Sequence, residues 1–258
     1  VSVAKTDAVW CFKVIDMTYS ERNLMVFFQL LAASANVKIL KTPNYSCLQV
    51  PNSTYPSVLF LPNFNALNAP SILEQIRESS LPQVIRTSPI LTNEITIQAL
   101  KENTAYQRFW TAMSMNLDKL KPFERNNKLE IRLITERSDI KDWCEIVGIE
   151  LMGGAIEDSL FYKMSQNSSC RFYLAFENNI PVATALTIIT GDEVGVYLIA
   201  TSKEYRKKGI GQQITTQSLL EAQQLGCFSA HLEATDLGKS VYEKIGFLKM
   251  ADIAVFRI

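Results

Sequence analysis

The chain has 258 residues, and 26 basic side chains balance 26 acidic ones. A net charge of zero argues against a broad nucleic-acid surface, and no apolar run approaches the ~20 residues of a membrane-spanning helix. The five cysteines are scattered and form no C-x-x-C pair, which is typical of reduced thiols in a cytoplasmic protein rather than of a disulfide framework or zinc site. We therefore expect a cytoplasmic monomer or homodimer that binds no metal, nucleic acid or membrane.

Glycine and proline divide the chain into two halves. All ten glycines lie at Gly148 or later, whereas every proline except Pro181 lies at or before Pro122. Such a change in turn chemistry predicts two domains. We place the boundary in the polar, proline-containing stretch 121–128, which gives an N-terminal domain of residues 1–125 and a C-terminal domain of residues 126–258.

The first half contains one clear helical pattern and several short apolar segments. Leu24, Phe27, Phe28 and Leu31 recur at helical spacing after Ser20, a residue type that often caps helices. The predicted elements, in chain order, are a helix at Glu21–Ala33, strands at Val37–Leu40 and Ser57–Leu61, a helix at Ser71–Ser79 and a longer helix, continuous or interrupted, at Glu94–Leu117. Because this half has no glycine, it cannot build a glycine turn around a phosphate.

The second half alternates strands and helices more regularly. The predicted elements, in chain order, are a strand at Leu129–Ile134, helices starting near Ser138 and at Ile156–Met164, a hairpin of Arg171–Phe176 with Val182–Ile189, a strand at Val194–Ala200, a helix of which Ile214, Ser218, Ala222 and Leu225 form the buried face, a strand at Phe228–Leu232, a helix at Gly238–Lys244, and strands at Phe247–Met250 and Ile253–Ile258. This order predicts an α/β fold with a mixed (α+β) sheet.

A basic, glycine-containing turn joins the strand ending at Ala200 to the next helix. Arg206, Lys207 and Lys208 precede Gly209-Ile210-Gly211, and the following helix directs its unbonded N–H groups at the same place. This pattern predicts a site for a phosphorylated ligand. No P-loop string occurs, and a third glycine of the dinucleotide pattern is missing, although Glu233 stands where a ribose-binding carboxylate would lie.

Two segments of the second half carry a more specific resemblance. Leu198 to Gly211 resembles the central motif of the GCN5-related N-acetyltransferases (GNAT family), in which a strand is followed by [RQ]-x-x-G-x-[GA] and a helix; Arg206, Gly209 and Gly211 fill the fixed places. Leu232 to Phe247 is similar to the closing segment of that family, which ends in L-Y-x-x-x-G-F. The resemblance covers residues 129–258 and implies a GNAT fold there.

The resemblance implies acetyl-CoA as the co-substrate, an amine as the acceptor, and no metal. Backbone N–H groups of the basic turn would bind the pyrophosphate, and the strand before it would pair with the pantetheine arm where that strand splays from its neighbour. The implied cofactor-binding residues are Leu198, Ile199, Ala200, Thr201, Arg206, Lys207, Lys208, Gly209, Ile210, Gly211, Gln212, Asp236, Lys239 and Tyr242.

The catalytic roles also follow from the resemblance. Tyr242 falls where the family places the general acid that protonates the leaving thiolate. Some protein-acetylating relatives carry a glutamate base where this chain has Gly195. Glu193 lies two positions earlier, on the same face of the strand, and is our candidate base. Glu233, Glu177 or a water molecule are the alternatives. The single histidine, His231, is interpreted as a packed strand residue.

The sequence does not identify the acceptor. The segment from Ile140 to Met164 should shape its pocket, with Trp143, Phe161 and Tyr162 as lining candidates and Gly153-Gly154 as a hinge. The first half is interpreted as a degenerate, non-catalytic copy of the same fold. Two other functions stay open: an acyl-CoA-binding sensor or scaffold without turnover, and an NAD(P)-binding enzyme.

Overall fold

The computed structural model describes residues 19–34, 38–41, 46–49, 58–60, 69–78, 84–87, 94–103, 106–123 and 126–257. Seven helices in these residues are α1 Tyr19–Ser34, α2 Ala69–Arg77, α3 Glu94–Asn103, α4 Arg137–Val147, α5 Asp158–Ser165, α6 Ile210–Gln224 and α7 Asp236–Ile245. Eleven strands in the same residues are β1 Lys38–Lys41, β2 Ser46–Gln49, β3 Val58–Phe60, β4 Val84–Arg86, β5 Tyr106–Asn116, β6 Leu129–Ile134, β7 Cys170–Glu177, β8 Ile180–Thr190, β9 Glu193–Thr201, β10 Ser229–Ala234 and β11 Leu248–Arg257.

The described strands form one mixed sheet in the order β1-β2-β3-β4-β11-β5-β10-β9-β8-β7-β6. Strands β3 with β4 and β9 with β10 are parallel, and the other neighbours are antiparallel. The mixed α/β class predicted from the sequence is confirmed.

The final strands of the two halves are exchanged within this sheet. Strand β5, from the first half, lies between β10 and β11, and β11, the last strand of the chain, lies between β4 and β5. Both halves therefore share one hydrogen-bonded sheet, which continues past the predicted boundary at residues 121–128. The division into domains 1–125 and 126–258 stays a prediction.

Helices cover the sheet on two sides. On the front face, α6 and α7 pack on Met113, Val196 and Leu232, and α2 and α3 pack on Ala254 and Phe256. On the back face, α1 joins α4 and α5 over the buried side chains of β7, β8 and β9. Helix α1 belongs to the first half but packs on β8, β9 and β10 of the second.

Most predicted elements are present, with end shifts of a few residues and three larger differences. The long helix predicted at 94–117 is wrong after Asn103: Tyr106–Asn116 is strand β5, because its alternating side chains Met113 and Met115 are buried on the front face between two partner strands. The two predicted C-terminal strands are one strand, β11, with a bulge between Lys249 and Ala251. Strands β2 and β4 were not predicted at all; they have 4 and 3 residues.

Two smaller features complete the comparison with the predicted elements. Leu225, predicted to be buried on α6, is 57% exposed because the helix has ended at Gln224.

Cys144, Cys170 and Cys227 are reduced and buried, and burial raises the pKa of Cys170 to about 12; Cys11 lies outside the described residues. None of the described helices is long and apolar enough to cross a membrane.

Candidate functional site

A cleft opens in the sheet between the parallel strands β9 and β10. Their pairing runs from Glu193 with Ser229 to Val196 with Leu232 and then stops. Beyond that point β9 continues to Thr201 beside β8, and β10 continues to Ala234 beside β5. The sequence-based expectation that this strand splays from its neighbour is therefore met, and we call the last pair, Val196 and Leu232, the vertex of the cleft.

A β-bulge shapes the free edge of β9. The register with β8 shifts between Thr184 and Leu186, and Leu198 adopts a left-handed φ of 51°, which is costly for a residue with a Cβ. Thr184 holds the bulge: its hydroxyl donates to the carbonyl of Leu198 at 2.8 Å and accepts from the N–H of Ala200 at 3.2 Å. An apolar run such as Val194–Ala200 gives no sequence signal for a bulge.

The basic turn lies at the open end of the cleft. Lys207 and Gly209 have left-handed φ values of 63° and 76°, which bend the chain sharply into α6 at Ile210 without a side-chain cap. The first internal bond of α6 runs from the N–H of Gln213 to the carbonyl of Gly209 at 3.0 Å. The N–H groups of residues 210–212 precede this bond, so the geometry of an anion-binding helix start is present.

Gly211 lies where α6 passes the end of β9. A Cβ built on it would meet only the Oγ1 of Thr201, at 3.5 Å, which is an ordinary contact distance. The fold by itself therefore tolerates a side chain at this position, and its glycine leaves room for something outside the protein.

Two cationic side chains of the turn, Arg206 and Lys208, have protein partners. Arg206 donates to the carbonyl of Thr201 at 3.0 Å and forms an ion pair with Glu150, and Glu150 also accepts from the N–H of Lys203 at 3.0 Å. Lys208 lies 3.5 Å from the carboxylate of Glu177. Arg206 thus ties the turn to the π-helical segment Gly148–Met152, a structural role that the sequence motif alone did not indicate.

Tyr242 lies on the front face of the sheet. It is 9% exposed and belongs to the same buried cluster as Val196 and Leu232. Its ring packs edge-on against Phe247 at 6.0 Å, and a Cβ at Gly238 would lie 3.0 Å from its Cε2 atom. Burial raises the pKa of the Tyr242 phenol above its ordinary value, so the phenol stays protonated at neutral pH.

The other residues predicted on α7 lie at its start. Asp236 is the first residue of the helix, directly after the cleft strand β10. Lys239 lies one turn further, with its amine 4.0 Å from the carboxylate of Glu243. Both therefore lie in the first turn of α7, close to the end of the cleft strand β10.

Four polar residues follow one another on the back face near the cleft. Ala230, Leu232 and Ala234 of β10 pack on the front face, so Ser229, His231 and Glu233 lie on the back face by alternation. Glu233 comes directly after the vertex residue Leu232, whereas Glu193 lies three positions before Val196, roughly 10 Å away along the strand. The structure therefore brings Glu233 to the vertex and does not bring Glu193 there.

The aromatic residues predicted to line an acceptor pocket differ in position. Trp143 and Phe161 are fully buried, and the Trp143 Nε1 donates to the carbonyl of Ala185 at 3.2 Å; both are core residues. Tyr162 is only partly buried, on the back-face cluster. The first half supplies an unpredicted aromatic: Phe27 of α1 stacks on Tyr197 of β9 at 4.8 Å, next to the cleft. No group of three metal-ligating side chains occurs among the residues that the structure describes.

Comparison with known proteins agrees with this geometry. Residues 168–249 match the model of the acetyltransferase (GNAT) domain. A protein of Bacillus subtilis (strain 168), named as an acetyltransferase, is 29% identical over 124 residues, which are 46% of this chain and 83% of that protein.

Solved structures extend the likeness to the first half. A GCN5-related N-acetyltransferase from Kribbella flavida, 17% identical, superimposes with a TM-score of 0.67 over 93% of this chain and 96% of that one. A GCN5-related N-acetyltransferase from Sphaerobacter thermophilus, 14% identical, gives 0.61 over 83% of this chain and 76% of that one. At sequence identities this low, the comparison shows a shared fold only.

Proposed function

Since this chain belongs to the GNAT acetyltransferases through its C-terminal half, we propose that it transfers an acetyl group from acetyl-CoA to a primary amine of a small molecule or peptide by direct attack. The observation that carries the proposal is the cleft itself. It offers a splayed strand edge at Leu198–Thr201, and a glycine turn with free N–H groups at its open end. Those two features fit the pantetheine arm and the pyrophosphate of one ligand.

The two ends of the cleft would hold different parts of this ligand. With the pyrophosphate at residues 207–212 and the arm along β9, the thioester lies near the vertex at Val196 and Leu232. Tyr242 belongs to the front-face cluster that contains both vertex residues, and Glu233 adjoins the vertex on the back face. An acid and a base on opposite faces suit a reaction in which the amine enters from one side and the thiolate leaves toward the other.

Glu233, rather than Glu193, is accordingly the proton acceptor that we propose for the ammonium group. Tyr242 supplies a proton to the departing thiolate. A phenol has an ordinary pKa of about 10 and a thiol about 8.5, and burial moves the pKa of both groups upward when the thiolate forms in the same apolar pocket. The proton transfer is unfavourable by itself and is driven by collapse of the tetrahedral intermediate, which breaks the carbon–sulfur bond as the thiolate takes the proton.

The acceptor would approach the vertex from the back face, beside the partly buried Tyr197, on which Phe27 of α1 stacks. The first half thus contributes to the acceptor side. We also propose that this half is a degenerate copy of the fold. The first half has two antiparallel strand pairs and the second has three; in each, a parallel pair flanked by helices follows, and each half lends its last strand to the other.

The experiment is acetyl-CoA binding by calorimetry, followed by thiol release with a panel of primary amines. Wild-type protein should bind acetyl-CoA and release thiol with at least one amine. Gly211→Val should abolish binding because the side chain fills the pyrophosphate approach, while Gln224→Val, at the exposed far end of the same helix, should not. If the protein binds acetyl-CoA but releases no thiol with any amine, the sensor is favoured. If NAD(P) stabilises the protein against heat and acetyl-CoA does not, the NAD(P)-binding enzyme is favoured.

A further inference from the structure

Strand β5 continues the back face of the sheet beyond Glu233. Glu233 of β10 is paired with Ala112 of β5, and β10 ends one residue later, at Ala234. Trp110 lies two residues from Ala112, roughly 7 Å between Cα atoms. Since Met113 is on the front face, Ala112 and Trp110 are both on the back face. Trp110 therefore lies on the same face as Glu233, at a level of the sheet where β10 has already ended.

The indole of Trp110 carries an unused hydrogen-bond donor. The side chain is partly buried and packs on the cluster that contains Ala112 and Ile253. Its Nε1 is shielded from water and has no hydrogen-bond partner, whereas the Nε1 of Trp143 donates to the carbonyl of Ala185 at 3.2 Å. Buried polar groups are nearly always paired. The unpaired N–H of Trp110 is therefore a donor for a group that the protein itself does not supply.

Arg108 is the next back-face residue of β5. Its side chain is exposed, and its Cζ atom lies over the Trp110 ring, 4.8 Å from the ring centroid. None of the carboxylates in the described part of the chain forms an ion pair with it. A guanidinium that lies over an aromatic ring makes this contact with its flat face and keeps the N–H groups at its edge for another partner.

The three side chains present a fixed order of chemistry along the back face. Glu233 at the vertex is an acid, Trp110 offers an apolar ring with one donor at its edge, and Arg108 is a base. A molecule with a positive end, a short apolar body and a negative end matches this order. Arg108 supplies a single charge in a planar fork, which suits a carboxylate with two oxygens, whereas a phosphate dianion would leave one charge unmatched.

We propose that the acceptor is an amine that also carries a carboxylate, as an amino acid or a short peptide does. Arg108 binds the carboxylate, Trp110 packs on the body of the acceptor and donates from Nε1, and the amine lies at Glu233. The inference rests on the proposed function, which places the amine at Glu233. It goes further, since it names the class of acceptor and assigns its recognition to a strand of the first half.

The first test compares acids with their carboxamides in the thiol-release assay. The panel consists of amino acids whose amine and carboxylate are one to four carbons apart, each paired with its carboxamide, which keeps the amine and the shape but has no negative charge. Wild-type protein should prefer the best acid over its carboxamide by about tenfold in kcat/KM, because a hydrogen bond between two charged groups is lost in the carboxamide.

Two substitutions should remove this preference. Arg108→Gln should abolish most of it through a higher KM for the acid, and Trp110→Phe, which keeps a ring and removes the N–H, should reduce it about threefold. Arg132→Gln is the matched control and should keep the preference. Arg132 also lies over an aromatic ring, with its Cζ 4.4 Å from the centroid of Phe176, but it pairs with Glu130 at 2.6 Å on the far strand β6.

The second test does not need turnover. The chain has three tryptophans, so full-length protein with isotope-labelled tryptophan gives three indole N–H signals in NMR, and Trp110→Phe identifies the signal of Trp110. The acids of the panel, added together with CoA, should move this signal downfield, and their carboxamides should move it less. The indole of Trp143, which is already hydrogen-bonded, is the internal control. A Trp110 signal that responds to none of the acids overturns the proposal.

The two levels of inference fail in different ways. If wild-type protein acetylates no amine, the proposed function fails, whereas the indole signal still decides whether Trp110 and Arg108 bind a carboxylate. If carboxamides react as well as acids, or if Arg108→Gln keeps the wild-type preference, the transferase stands and the class of acceptor is wrong. Glu233→Gln separates the two ends of the site: it should lower kcat for acid and carboxamide alike, because both present the same amine to it.

Discussion

At the scale of single residues, the proposed chemistry depends on Tyr242 and Glu233, which lie on opposite faces of the sheet. Tyr242 is held by packing against Phe247 and by a glycine, Gly238, that leaves its ring room on α7. Glu233 is held by the strand pairing of β10 with β5, which continues after β9 has left. Both positions are set by rigid elements rather than by loops.

Tyr242→Phe should lower kcat by about 100-fold, with little change in the KM for acetyl-CoA, because it removes the proton donor and keeps the ring that packs on Phe247. Since burial raises the pKa of Tyr242, the wild-type rate should show no alkaline loss from this group up to about pH 9. Steady-state thiol release over pH 6–9 is the measurement. An equal effect on kcat and KM, or a fall in thermal stability, would make Tyr242 a packing residue.

Glu233→Gln should lower kcat by about 100-fold at pH 7, because it removes the proton acceptor at the vertex. Glu193→Gln is the matched control: it is the same chemical change on the same face, roughly 10 Å from the vertex along the sheet, and it should cost only a few-fold because Glu193 lies too far from the reacting groups. The same thiol-release assay, repeated at pH 9, measures both. The reverse ranking of the two variants would return the role of base to Glu193.

At the scale of elements, the bulge in β9 decides how the strand edge faces the cleft. Leu198 is held in a left-handed conformation, and Thr184 provides the two hydrogen bonds that the bulge takes out of the ladder. The strain in Leu198 is therefore offset by a side chain from the neighbouring strand. The basic turn has a similar support, since Glu150 binds both Arg206 and the backbone of Lys203.

Thr184→Val should destabilise the protein by about 1–3 kcal/mol and raise the KM for acetyl-CoA, because it leaves a buried carbonyl and a buried N–H of the bulge unpaired. Thr187→Val, three residues further on the same strand, is the control. The Thr187 hydroxyl is buried without a hydrogen-bond partner, so its removal should be neutral or stabilising. Urea denaturation measures the stabilities, and similar losses in both variants would remove the special role of Thr184.

At the scale of the whole molecule, the exchanged strands make the two halves depend on each other. Strand β5 buries Met113 and Met115 against the front-face helices of the second half, and Leu117, which follows the strand, joins the same cluster. It also brings Ser114 to His231 and separates β10 from β11. Without β5 the second half would have two unpaired strand edges and a gap in its core.

Residues 126–258 expressed alone should therefore be unfolded or aggregated, although they contain both sequence motifs. The full chain with a protease site inserted at residues 124–125 should, once cut, stay as one particle that binds acetyl-CoA, because the exchanged strands hold the fragments together. Size-exclusion chromatography and circular dichroism follow both. A folded, monomeric fragment 126–258 with wild-type affinity for acetyl-CoA would show instead that the predicted domain boundary marks independent units.

The sequence by itself determined the parts of this protein whose physics is local. The glycine spacing of Gly209 and Gly211 predicted the sharp turn and helix start, because left-handed φ and close backbone approach select glycine. The helical spacing of α1 and the apolar run of β9 predicted those elements within a few residues. The family resemblance and the mixed α/β class followed from the order of these local signals.

Only the tertiary structure decided how distant segments meet. Strand β5 was mistaken for helix, because its partners β10 and β11 are more than a hundred residues away and a strand gains its hydrogen bonds only from partners. The register of β9 with β10 determined that Glu233, and not Glu193, lies at the vertex. The same register set His231 beside Ser229 and Ser114, a juxtaposition that no spacing in the sequence encodes.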